Sequence, residues 1–154
     1  MSKVQILMGS KSDIEVARKA KTVLEEFGVE VGMAVASAHR TPSRVEGIVN
    51  DCGADVFIAI AGLSAALPGV VAALTLKPVI GIPVSGKISL DALLSVVQMP
   101  PGIPVAGVGL DRGENAAILA VQMLAIGDRD LEKKMADYRV KMAEKVVADS
   151  EEVC

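Results

Sequence analysis

The chain has 154 residues, of which 51% are hydrophobic and only 2% are aromatic. This length suits one domain, so we expect a single domain over residues 1–154. A core made of Ala, Val, Ile, Leu and Met favours closely packed sheets with helices on both faces. The net charge of −3, with no basic cluster except a mixed one near the C-terminus, argues against a nucleic-acid partner.

Two further features bear on location. Cys52 and Cys154 lack the CxxC spacing, so we expect no disulfide and a reducing, cytoplasmic environment. The uncharged stretch 56–76 approaches the length of a membrane span. Glycine, serine and proline residues interrupt it in the middle, so we predict a strand, a loop and a helix there, and no membrane partner.

Strand-like and helix-like segments alternate along the chain. The predicted strands are runs of branched apolar residues at 4–8, 29–36, 56–61, 79–83 and 104–108. The predicted helices lie at 13–27, 42–52, 67–76, 91–97 and 115–126, and glycines at 28, 53 and 127 follow three of them. Thr41 is the predicted cap of the second helix, with Pro42 at its first position. The alternation predicts an α/β fold with a parallel sheet and helices on both faces.

A charged amphipathic helix is predicted at 128–148, after a core that spans 4–126. Its apolar stripe consists of Leu131, Met135, Tyr138, Met142 and Val146. Two interpretations stay open: the helix packs across a subunit boundary, or it folds back on its own domain.

Ligands of parallel sheets bind beyond the carboxyl ends of the strands, which ranks four loops as candidates: 9–13, 36–42, 62–66 and 109–115. In the first, Ser10 and Ser12 lie at a helix N-terminus and favour an anion such as phosphate. Simple capping by Ser12 or Asp13 is the alternative. Because a carboxylate repels phosphate, we expect Asp13 to cap the helix or to bind sugar hydroxyls.

The second loop carries the only histidine of the chain, His39, beside Arg40 and after Ser37. Histidine can give and take a proton near neutral pH. Arginine offers a rigid fork for phosphate, and the next helix points its positive end at the same place. The combination predicts an active site for a phosphorylated substrate.

The third loop consists of small residues, which indicates either a flat ring lying against the backbone or dense packing. Ser64 has no base within sequence reach, so we do not expect a nucleophile. With one histidine and neither a CxxC nor an HExxH motif, the sequence predicts no metal site.

Five motifs occur together in one order, and the first two are highly specific as a pair. They are MGSKSD at 8–13, SAHRTP at 37–42, LPG at 67–69, QMPPGIPV at 98–105 and NAA at 115–117. Over roughly residues 4–124 the chain resembles the N5-carboxyaminoimidazole ribonucleotide mutase and aminoimidazole ribonucleotide carboxylase family of purine biosynthesis.

The resemblance implies a flavodoxin-like three-layer fold, a homo-octamer with active sites at subunit boundaries, and no cofactor or metal. It implies that His39 is the general acid and base. It further implies that Ser10, Asp13 and Arg40 bind the ribose phosphate, with Ser12, Ser37 and Ala38 beside them. The third loop, with Gly62, Leu63, Ser64 and Ala66, is expected to hold the ring and carbon dioxide.

One position departs from the mutase branch, which usually has histidine where this chain has Ala66. Ser64, Ala66 and Leu67 lean towards the carboxylase branch, which uses carbon dioxide directly, whereas Pro68 and Gly69 lean towards the mutase. We favour the mutase. The alternatives are direct carboxylation, a non-enzymatic nucleotide-binding flavodoxin-like module, and a scaffold assembled through the last helix.

Overall fold

A computed structural model describes residues 3–153; Cys154, for which no disulfide was expected, lies outside them. Five parallel strands form one sheet in the order β2-β1-β3-β4-β5. The strands are β1 (Lys3–Met8), β2 (Glu30–Val35), β3 (Val56–Ala61), β4 (Val79–Pro83) and β5 (Ala106–Gly107). This is the strand order of flavodoxin-like folds, in which the chain reverses direction across the sheet between β1 and β3.

Helices cover both faces of the sheet. They are α1 (Ile14–Glu26), α2 (Pro42–Asp51), α3 (Leu67–Leu74), α4 (Ser89–Val97), α5 (Gly113–Ala125) and α6 (Arg129–Val153), with a short 3-10 turn at Lys11–Asp13. Because successive strand residues face opposite ways, Ile6 packs with α1 and α5, whereas Leu7 packs with α2 and α3. The predicted three-layer α/β fold is confirmed.

The fifth strand is shorter than predicted, with only Ala106 and Gly107 in place of 104–108. It is an edge strand paired on one side only, and Pro104 has no N–H to donate to a ladder. The fourth and fifth helices begin two residues earlier than predicted, at Ser89 and Gly113.

The first part of the last helix folds back on its own domain, as one of the two interpretations of its stripe expected; packing across a subunit boundary stays a prediction. Leu131 is buried, and the Tyr138 ring lies 5.5 Å from the Phe27 ring, centroid to centroid. Lys134 Nζ also donates to the Phe27 carbonyl at 2.8 Å. After Tyr138 the residues of the helix are exposed, Val146 among them, and the helix continues to Val153, past the predicted end at 148.

No helix within residues 3–153 is both long and apolar enough to cross a bilayer. The uncharged stretch 56–76 contains strand β3, a loop and helix α3, as predicted.

Candidate active site

A cavity of about 250 Å³ opens beyond the carboxyl ends of β1, β2 and β3, where the strand order reverses. Every residue that the sequence placed in the site lines it: Ser10, Ser12, Asp13, Ser37, Ala38, His39, Arg40, Gly62, Leu63, Ser64 and Ala66. Gly9, Ala61, Ala65 and Leu67 complete the lining; the sequence placed Gly9 and Ala65 in candidate loops but predicted none of the four as a site residue. The fourth candidate loop, 109–115, contributes no residue to this cavity.

The first loop forms a 3-10 turn before α1. Ser10 caps this turn, because its Oγ accepts the amide of Ser12 at 3.3 Å. The Ser12 hydroxyl lies 3.1 Å from Ser10 Oγ and 3.3 Å from Asp13 Oδ1. Asp13 occupies the N-cap position of α1 but makes no capping hydrogen bond to the helix. Its carboxylate is therefore not used as a helix cap.

The Asp13 side chain lies in an unusual place for a carboxylate, since only 7% of the residue surface is exposed. Burial raises the pKa of Asp13 above 3.8, and this outweighs the hydrogen bonds from Ser12 and the Ser10 backbone, which lower the pKa. A carboxylate that faces a cavity and is poorly hydrated gains when a ligand donates hydrogen bonds to it. Sugar hydroxyls are such donors.

The second loop is cross-linked within itself and to the first. Thr41 Oγ1 accepts the Ser37 amide at 2.9 Å and lies 3.2 Å from the Ser37 carbonyl oxygen. Arg40 Nε donates to Ser37 Oγ at 3.3 Å, and Arg40 Nη2 donates to the Gly9 carbonyl at 2.9 Å. The guanidinium is thus held at the cavity by both loops, and His39 is exposed beside it.

Thr41 stands at the N-cap of α2, with Pro42 at the first helical position, as predicted. Its side chain makes no capping hydrogen bond, because the hydroxyl is engaged with Ser37 instead. The amides at the start of α2 are therefore not occupied by this side chain, and the positive end of the helix dipole remains directed towards the second loop.

The third loop presents small groups to the cavity. Ser64 has a φ of 50°, and its amide donates to Asp91 Oδ2 at 2.6 Å. A Cβ added at Gly62 would meet nothing closer than Val84 Cβ, at 3.8 Å, so dense packing does not require glycine there. From the sequence, Asp91 is only a predicted helix start, because nothing in the pattern links two positions 27 residues apart.

The strand order and the place of the cavity define a flavodoxin-like α/β protein with its candidate site at the switch point. Residues 3–145 match the family model described as AIR carboxylase. The chain therefore belongs to the AIR carboxylase family.

Individual relatives agree with this. The chain is 64% identical to the N5-carboxyaminoimidazole ribonucleotide mutase of Methanocaldococcus jannaschii, over 96% of this chain and 95% of that protein. It is 48% identical to the probable N5-carboxyaminoimidazole ribonucleotide mutase of Methanobrevibacter smithii, of which it spans about half (46%), over 98% of its own length. The crystal structure of Treponema denticola PurE superposes with a TM-score of 0.89 at 31% identity, covering 99% of this chain and 98% of that one.

Proposed function

We propose that this chain is an isomerase of purine biosynthesis, which converts N5-carboxyaminoimidazole ribonucleotide to 4-carboxy-5-aminoimidazole ribonucleotide. The observation that carries the proposal is the meeting of His39, Arg40 and the first loop at one cavity. A titrating group beside an anion-binding arginine suits proton transfer on a phosphorylated substrate. The identity of 64% to a protein named as this mutase supports the same reaction.

The polar loops bind the ribonucleotide in this proposal. Arg40 holds the phosphate together with the Ser10 and Ser12 hydroxyls and the helix N-termini. Asp13 accepts hydrogen bonds from the ribose hydroxyls, and Ser37 and Ala38 lie beside the sugar. In this arrangement the carboxylate hydrogen-bonds to the sugar and not to the phosphate, which it would repel.

The reaction then needs only one group that moves protons. The bond from the exocyclic nitrogen to the carboxyl carbon breaks, its electron pair returns to nitrogen, and His39 protonates that nitrogen. The ring carbon attacks the freed carbon dioxide and afterwards loses its proton to His39. Protons and electrons balance, so no further reagent is required, and holding the two fragments together supplies much of the rate.

The residues of the third loop have the complementary task of holding the imidazole ring and carbon dioxide. Gly62, Leu63, Ser64 and Ala66 present the backbone and short side chains to the cavity. Direct carboxylation of aminoimidazole ribonucleotide with carbon dioxide is the second candidate, favoured by Ala66 where the mutase branch usually has histidine. A binding module without catalysis has no need of the titrating His39 at this place.

The test uses substrate labelled with ¹³C in its N-carboxyl group, in unlabelled bicarbonate buffer, with spontaneous decarboxylation measured without enzyme. A mutase keeps the label in the carbon-carboxylated product. Product that carries unlabelled carbon, or that forms only from aminoimidazole ribonucleotide and bicarbonate, would establish direct carboxylation instead. Product from neither substrate would contradict an enzymatic role in this step.

We further propose a single cytoplasmic catalytic domain that assembles as a homo-octamer with its sites near subunit boundaries. Leu90, Leu94 and Val97 form an exposed apolar stripe on α4, at helical spacing. Leu63, at the cavity rim, is 77% exposed. Light scattering tests the assembly: we expect eight times the chain mass of 15.9 kDa, and a monomer would refute it.

A further inference from the structure

The third loop is fixed by a residue that does not line the cavity. Asp91 lies in the first turn of α4, and its Oδ2 accepts the amide of Ser64 at 2.6 Å. Hydrogen bonds to a charged acceptor are shorter and stronger than those between neutral groups. Because the two residues are 27 positions apart, the bond ties the loop after β3 to a separate helix.

The loop needs such an anchor. Ser64 has a φ of 50°, a conformation that side chains other than glycine adopt only when their surroundings hold them there. Its neighbour Leu63 is 77% exposed and gives the loop little packing. The Ala66 amide donates back to the Ser64 carbonyl, so Ser64 is bonded on both sides of its strained backbone.

An acidic residue in the first turn of a helix also interacts favourably with the helix dipole. This interaction is the purely structural alternative for Asp91. A second aspartate provides a comparison for the hydrogen bond itself. Asp55 Oδ2 accepts the backbone amide of Lys3 at 3.0 Å, at the opposite end of the sheet from the cavity. Asp55 thus accepts the same kind of hydrogen bond from a backbone amide, but that amide does not belong to a loop of the site.

We propose that Asp91 is a positioning residue, which holds the 62–66 loop over the reacting carbon dioxide so that the ring carbon captures it before it escapes. This inference rests on the proposed function. When the loop is loose, the substrate still loses carbon dioxide and the nitrogen takes a proton from His39. The carbon dioxide then diffuses away, solvent reprotonates His39, and free aminoimidazole ribonucleotide is released without a new carbon–carbon bond.

The test measures which fraction of the consumed substrate becomes carbon-carboxylated product and which fraction is released as free aminoimidazole ribonucleotide. The reaction without enzyme is subtracted. For Asp91→Ala we expect the released fraction to rise at least ~10-fold over the unsubstituted protein. We expect KM to stay near normal, because the phosphate-binding loops are untouched. Asp91→Asn keeps an oxygen acceptor, so its released fraction should lie between those of Asp91→Ala and the unsubstituted protein. The released fraction of Asp55→Ala should equal that of the unsubstituted protein.

This fraction is a property of each turnover, so partial misfolding of a variant does not change it. The proposal would be refuted if Asp91→Ala released the same fraction of aminoimidazole ribonucleotide as the unsubstituted protein. Hydrogen exchange at the Ser64 amide gives a second measurement that needs no turnover. We expect exchange about 10-fold faster in Asp91→Ala and unchanged in Asp55→Ala.

The two measurements separate the two proposals. An unsubstituted protein that consumes neither substrate removes the proposed function. Hydrogen exchange then still decides whether Asp91 holds the loop. An unchanged exchange rate of the Ser64 amide in Asp91→Ala would refute the positioning role as well.

Discussion

The two sides of the cavity are built in different ways. One side, the polar wall, consists of residues 9–13 and 37–41, whose side chains bond to one another and to the backbone. The other, the small-residue wall, consists of residues 61–67, and the carboxylate of Asp91 anchors it through the Ser64 amide. A wall that binds charge has many polar groups with which to hold itself in place. The small-residue wall, which we propose fits around the ring, has fewer such groups, and we propose that a residue from another element positions it.

The largest effect should come from His39 in the polar wall. We expect His39→Asn to lower turnover at least ~100-fold, the low end for acid–base catalysis, and to leave ribonucleotide affinity nearly unchanged. Turnover under saturating substrate and calorimetric binding of aminoimidazole ribonucleotide measure the two quantities separately. Turnover close to normal would remove His39 from its proposed role.

Arg40 should affect binding more than turnover. Arg40→Ala removes the phosphate fork and its bonds to Ser37 and Gly9, so we expect affinity to fall by ~10- to 100-fold. Arg44 is the matched control, because its Nε donates to the Val35 carbonyl and it does not line the cavity. If Arg40→Ala binds as tightly as Arg44→Ala, the phosphate lies elsewhere.

Asp13 should show opposite effects on function and stability. Asp13→Asn is expected to weaken ribonucleotide binding about 10-fold, through loss of charged hydrogen bonds to the ribose. Because burial raises the pKa of Asp13 in the folded state, ionisation of this carboxyl disfavours folding. The cost develops as the pH rises above 3.8, the ordinary value, and is complete above the raised pKa.

Thermal unfolding at several pH values tests this. We expect Asp13→Asn to be more stable than the unsubstituted protein at pH 7, and the gain to disappear below the ordinary pKa of 3.8. A variant that is less stable at pH 7 would mean that the carboxylate has a stabilising partner after all.

The sequence was sufficient to bring the two walls together. Parallel strands carry their carboxyl ends to one edge, so the loops after β1, β2 and β3 were expected at the same edge of the sheet once the alternation was recognised. The motifs in those loops then located the candidate residues. Their spacing could not show that 109–115 stays away from the cavity, because this depends on how far β5 lies along the sheet.

What the sequence missed is the choice of hydrogen-bond partners. Thr41 was correctly placed at the start of α2, but its hydroxyl bonds to Ser37 rather than to the helix. Helix-capping preferences indicate that a polar residue suits a helix start. They do not specify which of two nearby amides donates to its side chain. The hydrogen bond from the Ser64 amide to Asp91 joins residues 27 positions apart, so no local pattern predicts it.

The smallest effect should come from the small-residue wall, at Gly62. A Cβ there would lie at ordinary contact distance, 3.8 Å from Val84 Cβ, and Gly62 does not have a positive φ. Gly62→Ala should therefore change the free energy of unfolding by no more than about 0.5 kcal/mol. The added methyl group still borders the cavity, so we expect KM to rise by a few-fold.

Gly81→Ala is the matched control for packing, because its Cβ would lie 2.5 Å from Val96 Cγ1 and 2.9 Å from Val105 Cγ1. We expect that variant to lose at least ~1 kcal/mol of stability through overpacking, with no direct effect on the site. Denaturant unfolding and steady-state kinetics on both variants complete the test. If Gly62→Ala loses as much stability as Gly81→Ala, the third loop has small residues because it is densely packed. If it loses only affinity, they are small because the ligand needs the space.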